Sequence, residues 1–176
     1  DLQGLLNEFA NFLGQWTYLV IGVLSFLETG AFVGLLVPGE TALLVGGAVA
    51  GQGVINVYLL IAIAWSCAFL GDSTSFYLGH RLGRDFVLRH GSRVGITRER
   101  FESVEDYFDK HGGKTVLIGR FVGLVRALSP FVAGSSNMRY AAFAPYSILG
   151  SGLQVTAHIM VGYLFSRSIE AAAEYA

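Results

Sequence analysis

The sequence predicts an all-α integral membrane protein, with two opposed re-entrant helical hairpins plus spanning helices in an inverted-repeat arrangement. Hydrophobic residues make up 53% of the 176-residue chain and charged residues only 14%. The mean hydropathy of +0.53 exceeds what a soluble domain usually shows. Pro- and Gly-containing breaks divide the apolar runs, and four charged side chains lie inside them: Glu28, Glu40, Arg120 and Arg126. The length suits a single membrane domain over residues 1–176.

Residues 1–15 have an amphipathic pattern. Leucine and phenylalanine recur at helical spacing, while asparagine and glutamate occupy the other side. The pattern predicts a helix that either lies on the membrane surface or packs against the domain itself.

Residues 17–53 are predicted to form the first hairpin. The apolar run 17–37 is followed by a helix break at Pro38-Gly39, and the next run, 41–50, is only ten residues long. Ten helical residues reach about 15 Å, half of a hydrocarbon core. Such a short run after a break is typical of a re-entrant hairpin. Residues 17–37 are also long enough to span, and this alternative would change the count of crossings.

Residues 54–79 predict a spanning helix, and residues 80–114 predict an aqueous linker. Between Arg81 and Lys114 the chain has eight Lys or Arg residues and six Asp or Glu residues, with an amphipathic pattern near its middle. The excess of Lys and Arg in a loop of this length places the linker in the cytoplasm by the positive-inside rule.

The second half repeats the first in outline. Residues 115–137 predict a second hairpin with a break at Ser129-Pro130, and residues 140–166 predict a second spanning helix. A re-entrant hairpin returns to the side from which it entered, and one spanning helix then crosses. The second half therefore starts from the opposite side, an inverted arrangement found in many secondary transporters.

The four charges within the apolar runs form an acidic and a basic pair. A charge at the bilayer centre costs roughly 3 kcal/mol even on the most lenient scale, so each of the four is expected to have a structural or functional role. Two hairpins that meet near the midplane would bring Glu28 and Glu40 toward Arg120 and Arg126, and Gly123 would permit a bend between the arginines. The charges could simply lock the hairpins together. The functional alternative, which we favour, assigns phosphate binding to the arginines and proton exchange to the glutamates.

Other polar residues give weaker indications. Asp72 is a secondary candidate, although helix capping or interfacial solvation explains it about as well. His158 on an apolar helix is more simply a core histidine. The scattered histidines and the single Cys67 match no metal-ligand spacing, so we expect no metal and no cofactor. The absence of a basic stripe with aromatics argues against nucleic-acid binding.

Three strings resemble one known family. They are FLETGAFVGLLVPGE, GDSTSFYLGHRLG and, most specifically, GRFVGLVRALSPFVAG, which is similar to the pattern G-R-F-x-x-x-x-R-x-x-x-P-x-x-A-G. The chain thus resembles the DedA family, also called the SNARE-associated or VTT-domain family, over about residues 20–165. The resemblance implies two opposed re-entrant hairpins, essential acids at Glu28 and Glu40, and the two arginines of the pattern at Arg120 and Arg126.

The resemblance also implies a function. Members are associated with the movement of lipid-linked phosphates across the bacterial cytoplasmic membrane, and undecaprenyl phosphate is the favoured substrate, moved in dependence on the proton-motive force. We therefore expect a multi-pass flippase of the inner membrane rather than an enzyme, since the histidines offer no phosphatase nucleophile. Its partners would be the lipid, protons and, in a homo-oligomer, further copies of the chain. A phospholipid scramblase and a proton-coupled exchanger of small ions or drugs stay as alternatives.

Overall fold

The computed structural model describes residues 2–30, 39–90, 97–136 and 138–174, and the regular elements among them are all helical. This confirms the all-α class. In chain order they are α1 (Leu2–Thr29), α2 (Gly39–Gly51), α3 (Val57–His90), α4 (Arg98–His111), α5 (Lys114–Ile118), α6 (Gly123–Ser135) and α7 (Tyr140–Glu174), with a 3₁₀ turn at Gly119–Phe121 before α6.

Two of the described helices are long and apolar enough to cross a membrane. The segments are Val57–Phe86 of α3 and Tyr140–Ile169 of α7, which overlap the two spanning helices predicted from the sequence. In contrast, α2 is apolar but has only 13 residues. It reaches about 20 Å, too short for a hydrocarbon core of about 30 Å.

The N-terminal part of the chain forms one helix where the sequence analysis placed two segments. Helix α1 runs from Leu2 to Thr29, so the amphipathic stretch and the first arm of the predicted hairpin are continuous. Residues 31–38 lie outside the described residues, and with them Pro38 of the predicted break. The chain is described again from Gly39, where α2 begins.

The predicted linker is helical over much of its described length. Helix α3 continues beyond residue 79 but changes direction at Gly83, where φ is 70° and ψ is 179°; this positive φ favours glycine. Helix α4 begins at the cap Thr97, whose side chain accepts from the backbone N–H of Arg100. Its buried residues are Phe101, Val104 and Phe108, and this apolar stripe holds α4 against the rest of the domain.

The break predicted at Ser129-Pro130 is wrong. Pro130 lies inside α6, and the backbone is instead extended at Val122, with φ −115° and ψ 108°, between the 3₁₀ turn and α6. Pro130 is buried, and the elements packed around α6 enclose the backbone that the proline disrupts. The true break falls between Arg120 and Arg126, beside the Gly123 that the sequence marked as a bend. The two arginines therefore belong to different elements.

The two short helices pack reciprocally on the two long ones. Helix α2 packs mainly on α7, and α6 packs mainly on α3. Both contacts depend on glycines, because a Cβ atom at Gly47, Gly79, Gly134 or Gly162 would overlap the backbone of the partner helix. Each short helix is thus fixed to the long helix of the other half of the chain.

Apolar side chains form two separate cores. One is formed by α1, α2 and parts of α3 and α7, and the other by α4, α5, α6 and other parts of α3 and α7. Their largest fully buried side chains are Leu43, Leu60 and Ile159 in the first core, and Phe101, Phe131 and Phe143 in the second. Helices α3 and α7 contribute to both cores, and of the charged residues of interest Asp72 lies on α3.

Candidate functional site

The first charged centre surrounds Arg126. This residue lies in the first turns of α6, and its guanidinium contacts an acid from each arm of the first half. Nη2 lies 3.4 Å from Oε1 of Glu28, in the last turn of α1, and Nη1 donates to Oε1 of Glu40, in the first turn of α2. The predicted meeting of the two acids with an arginine of the other half is therefore present at Arg126.

The Arg126 centre is partly open. The side chain of Glu40 is 44% exposed and that of Arg126 is 19% exposed, whereas that of Glu28 is only 6% exposed. A ligand can therefore approach Arg126 from the side of Glu40, while Glu28 holds the guanidinium from within.

The second charged centre surrounds Arg120 and is closed. Nη2 of Arg120 forms an ion pair with Oδ2 of Asp72, and the two side chains are only 3% and 2% exposed. The hydroxyl of Ser147 donates to the same carboxylate oxygen at 2.5 Å. Gly150 on α7 leaves room for the arginine, since a Cβ atom there would lie 2.7 Å from the Arg120 Cδ. The closed centre ties the 3₁₀ turn, α3 and α7 together.

These contacts correct two expectations from the sequence. Arg120 pairs with Asp72 and not with the glutamates of the first half. Asp72 is not an interfacial, solvated residue, because it is among the most buried side chains of the described chain. A buried charge of this kind is stable only with a charged partner and further hydrogen bonds, which Arg120 and Ser147 supply.

Gln154 connects the two centres, and the sequence analysis missed it. Its Oε1 accepts from Nη1 of Arg120 at 3.1 Å, and its Nε2 donates to Oε1 of Glu40 at 3.3 Å. One amide thus joins the closed centre to the open one. A displacement of Glu40 would remove one of the two hydrogen bonds that hold this amide.

His158 lies beside the open centre. Its Nδ1 lies 2.8 Å from the carbonyl oxygen of Gln154, one turn earlier, and therefore donates to it. This leaves Nε2 facing Glu40 Oε1 at 3.8 Å. The imidazole is 28% exposed, so the prediction of an ordinary core histidine does not describe its position.

A polar stripe in the sequence of α7 could have revealed both residues. Ser147, Ser151, Gln154 and His158 are spaced by four, three and four residues, so they share one helix face. An uncharged polar stripe along an otherwise apolar spanning helix must meet polar partners inside the protein. Because serine and glutamine carry no charge, the charged positions of the sequence alone do not indicate this stripe.

Groups of His, Cys, Asp or Glu arranged to hold a metal ion are not found within the residues that the structure describes. The open centre instead combines a guanidinium, two carboxylates, an imidazole and an amide. Guanidinium groups bind phosphate and carboxylate with the same fork geometry, so an anionic ligand could replace Glu40 at Arg126.

The chain is therefore a helical membrane protein with a polar, charged interior. Its residues 37–164 match the family model described as the VTT domain. The chain belongs to the VTT-domain, or DedA, family.

Named relatives agree with this assignment. The chain is 33% identical to Protein DedA of Escherichia coli (strain K12) over 162 residues, which cover 91% of this chain and 74% of that protein. It is 31% identical to the inner membrane protein YabI of the same organism over 170 residues, or 96% and 66% of the two chains. An uncharacterised membrane protein of Mycobacterium leprae is 33% identical over 141 residues, or 80% and 63%. No solved structure matches the chain.

Proposed function

We propose that this protein translocates a lipid-linked phosphate, with undecaprenyl phosphate as the favoured substrate, across the bacterial cytoplasmic membrane. The main supporting observation is the open centre, where the partly exposed Arg126 contacts two carboxylates and a phosphate could replace the more exposed one, Glu40. Arginine keeps its charge in apolar surroundings and binds phosphate through two hydrogen bonds. A relative named as an inner membrane protein supports the location.

The two arginines take different roles in this proposal. The sequence indicates the same phosphate-binding role for both, but Arg120 is enclosed and already paired with Asp72. We assign the first contact with the phosphate to Arg126. Arg120 would bind the phosphate only after the site has rearranged. Displacement of Glu40 would remove one of the two hydrogen bonds of the Gln154 amide, and the other is made with Arg120.

Charge balance favours coupling to protons. The two centres together contain three carboxylates (Glu28, Glu40 and Asp72) and two guanidinium groups. Three negative charges against two positive charges leave one negative charge, which is costly away from water. One proton on Glu28, on Glu40 or on His158 would neutralise the site. Entry of an anion would add negative charge and favour further proton uptake.

The reciprocal packing of the short and long helices supports the proposed inverted repeat. The contact of α2 with α7 and the contact of α6 with α3 are equivalent if the two halves are related by a two-fold operation. In this arrangement α1 with α2, and α5 with α6, would be the arms of two opposed re-entrant hairpins. The charged centres would then lie near the midplane, where transporters of this architecture bind substrate. Helix α4 would lie at the cytoplasmic surface.

Reconstitution into liposomes tests the proposal. Transbilayer movement of labelled undecaprenyl phosphate should require the protein and should change with an imposed pH gradient. Arg126→Ala and Glu40→Gln should each slow movement strongly, whereas Arg139→Ala should not, because Arg139 is exposed and lies outside both centres. If both substitutions in the open centre leave the rate unchanged, the proposal is wrong. Equal rates for an ordinary phospholipid would favour a scramblase instead.

A further inference from the structure

An apolar groove runs between α1 and α2 toward the open centre. It has a volume of about 450 Å³, within the range of ligand-binding pockets. One wall is formed by five α1 residues: Trp16, Thr17, Val20, Ile21 and Leu24. The opposite wall is formed by α2 residues between Thr41 and Val49. At 1.5 Å per residue, the walls are about 12 Å long.

The groove exists because its two walls are held by different helices. Helix α1 packs mainly on α3, and α2 packs mainly on α7. The floor contains Ile21 and Gly46, both buried, and the absence of a side chain at Gly46 lets Ile21 pack against α2, because a Cβ atom at Gly46 would overlap the Ile21 Cδ1. The rims are exposed, with Val20 at 49% and Val45 at 57%. The groove is thus a shallow recess that opens outward along its length.

One end of the groove adjoins the charged residues. Leu24 is one turn before Glu28 on the same face of α1, because residues four apart align on a helix. On the other wall, Thr41 directly follows Glu40. Both walls therefore end at the two acids that hold Arg126. An apolar channel that ends at a cation suits an amphiphile with an anionic head.

We propose that this groove binds the hydrocarbon chain of a lipid phosphate whose phosphate group is bound by Arg126. The inference rests on the proposed function and adds a site for the tail, which the headgroup mechanism alone would leave in the bulk lipid. Transfer of a chain from lipid to the groove gains little hydrophobic free energy, since both are apolar. The groove contributes by van der Waals packing, and it aligns the chain so that the phosphate meets the guanidinium.

Binding measurements with two alkyl phosphates test the tail site. Hexadecyl phosphate and butyl phosphate have the same head, but only the first can fill the groove. Val45→Trp should fill the recess from its exposed rim and weaken the binding of hexadecyl phosphate by about tenfold, as expected when an apolar pocket is blocked. It should leave butyl phosphate unchanged. Leu149→Trp is the matched control, because Leu149 is 61% exposed on α7 and does not line the groove.

The outcomes separate the tail site from the proposed function. If Arg126→Ala weakens the binding of both ligands while Val45→Trp and Val20→Trp weaken the binding of neither, the tail site is wrong and the phosphate site stands. If Arg126→Ala affects neither ligand, the proposed function itself fails. Equal weakening of butyl phosphate by Val45→Trp would mean that the substitution acts on the charged centre, and this too would overturn the tail site. Efficient cross-linking between copies through Val45→Cys, in a Cys67→Ser background, would identify a second copy as the occupant instead.

Discussion

Removal of the Asp72 carboxylate should destabilise the protein far more than neutralisation of Glu40. In Asp72→Ala, Arg120 keeps its charge while its side chain is only 3% exposed, and it loses its ion-pair partner. The hydroxyl of Ser147 loses its acceptor as well. Removal of one partner from a buried ion pair typically costs about 3–5 kcal/mol, so we expect a loss in that range.

Glu40→Gln is the matched comparison within the same polar interior. The Glu40 side chain is 44% exposed, and a glutamine at that position still accepts a hydrogen bond from Arg126. Partly exposed ion pairs contribute about 0–1 kcal/mol, so this substitution should cost about 1 kcal/mol or less. The expected difference between the two variants is therefore at least about 2 kcal/mol.

Unfolding in mixed micelles with increasing dodecyl sulfate, followed by circular dichroism, gives the free energies of unfolding. The double variant Asp72→Ala with Arg120→Met should recover most of the loss, because no unpaired buried charge remains. Equal destabilisation by Asp72→Ala and Glu40→Gln would refute the assignment of Arg120 and Asp72 as the closed, structural centre. A double variant as unstable as Asp72→Ala alone would also contradict it.

Three further predictions concern the bridge, the surface and the helix packing. Gln154→Leu should slow transport by at least about tenfold, because it breaks the link between the centres. It should lower stability by about 1–3 kcal/mol, since the buried Arg120 loses one acceptor while both ion pairs stay in place; transport and unfolding assays check this. The hydrogen bond from Arg98 lowers the pKa of Glu102, so its stabilising effect is complete above the unfolded value of about 4.3 and is lost as the pH falls through the lowered folded value. Glu102→Gln should therefore abolish this part of the acid-induced loss of stability. Gly162→Ala should destabilise the contact of α7 with α2 by several kcal/mol in the same unfolding assay, since a Cβ atom would overlap the Leu44 carbonyl.

Each of these predictions has a control on the same element. Thr156→Val on α7 should leave transport unchanged, and a similar loss in both variants would remove the special role of Gln154. Glu99→Gln should show the same acid-induced loss of stability as the unmodified protein, whereas Glu102→Gln should not. Ala157→Val, at an exposed position of α7, should be tolerated. Normal stability of Gly162→Ala would contradict the close approach of the two helices.

The sequence predicts the architecture well where physical constraints are local. Apolar length and the positions of charge are enough to place the segments of α3 and α7 that can cross a membrane. Glu28, Glu40 and Arg126 stand out because charge in an apolar run is rare. Each of these features is determined by one segment of the sequence and does not depend on contacts with other segments.

The remaining features depend on contacts between distant segments. The assignment of Asp72 to Arg120 requires α3 to meet the 3₁₀ turn, which spacing along the chain cannot give. The proline rule located the break of the second half at Pro130, but that residue is buried within packed helices and the chain breaks at Val122 instead. Gln154 carries no charge, so only its place in the polar stripe of α7 indicates its role.

Proton linkage of substrate binding tests the central claim most directly. A phosphate that replaces Glu40 at Arg126 adds negative charge to a site that already has three carboxylates against two guanidinium groups, and proton uptake from solvent would offset the added charge. Calorimetry of undecaprenyl phosphate binding in buffers of different ionisation enthalpy measures the protons exchanged. At about pH 8 the free phosphate is already largely deprotonated and contributes little. We predict net proton uptake by the unmodified protein and clearly less by Glu40→Gln; equal proton numbers for the two, or none, would contradict the account.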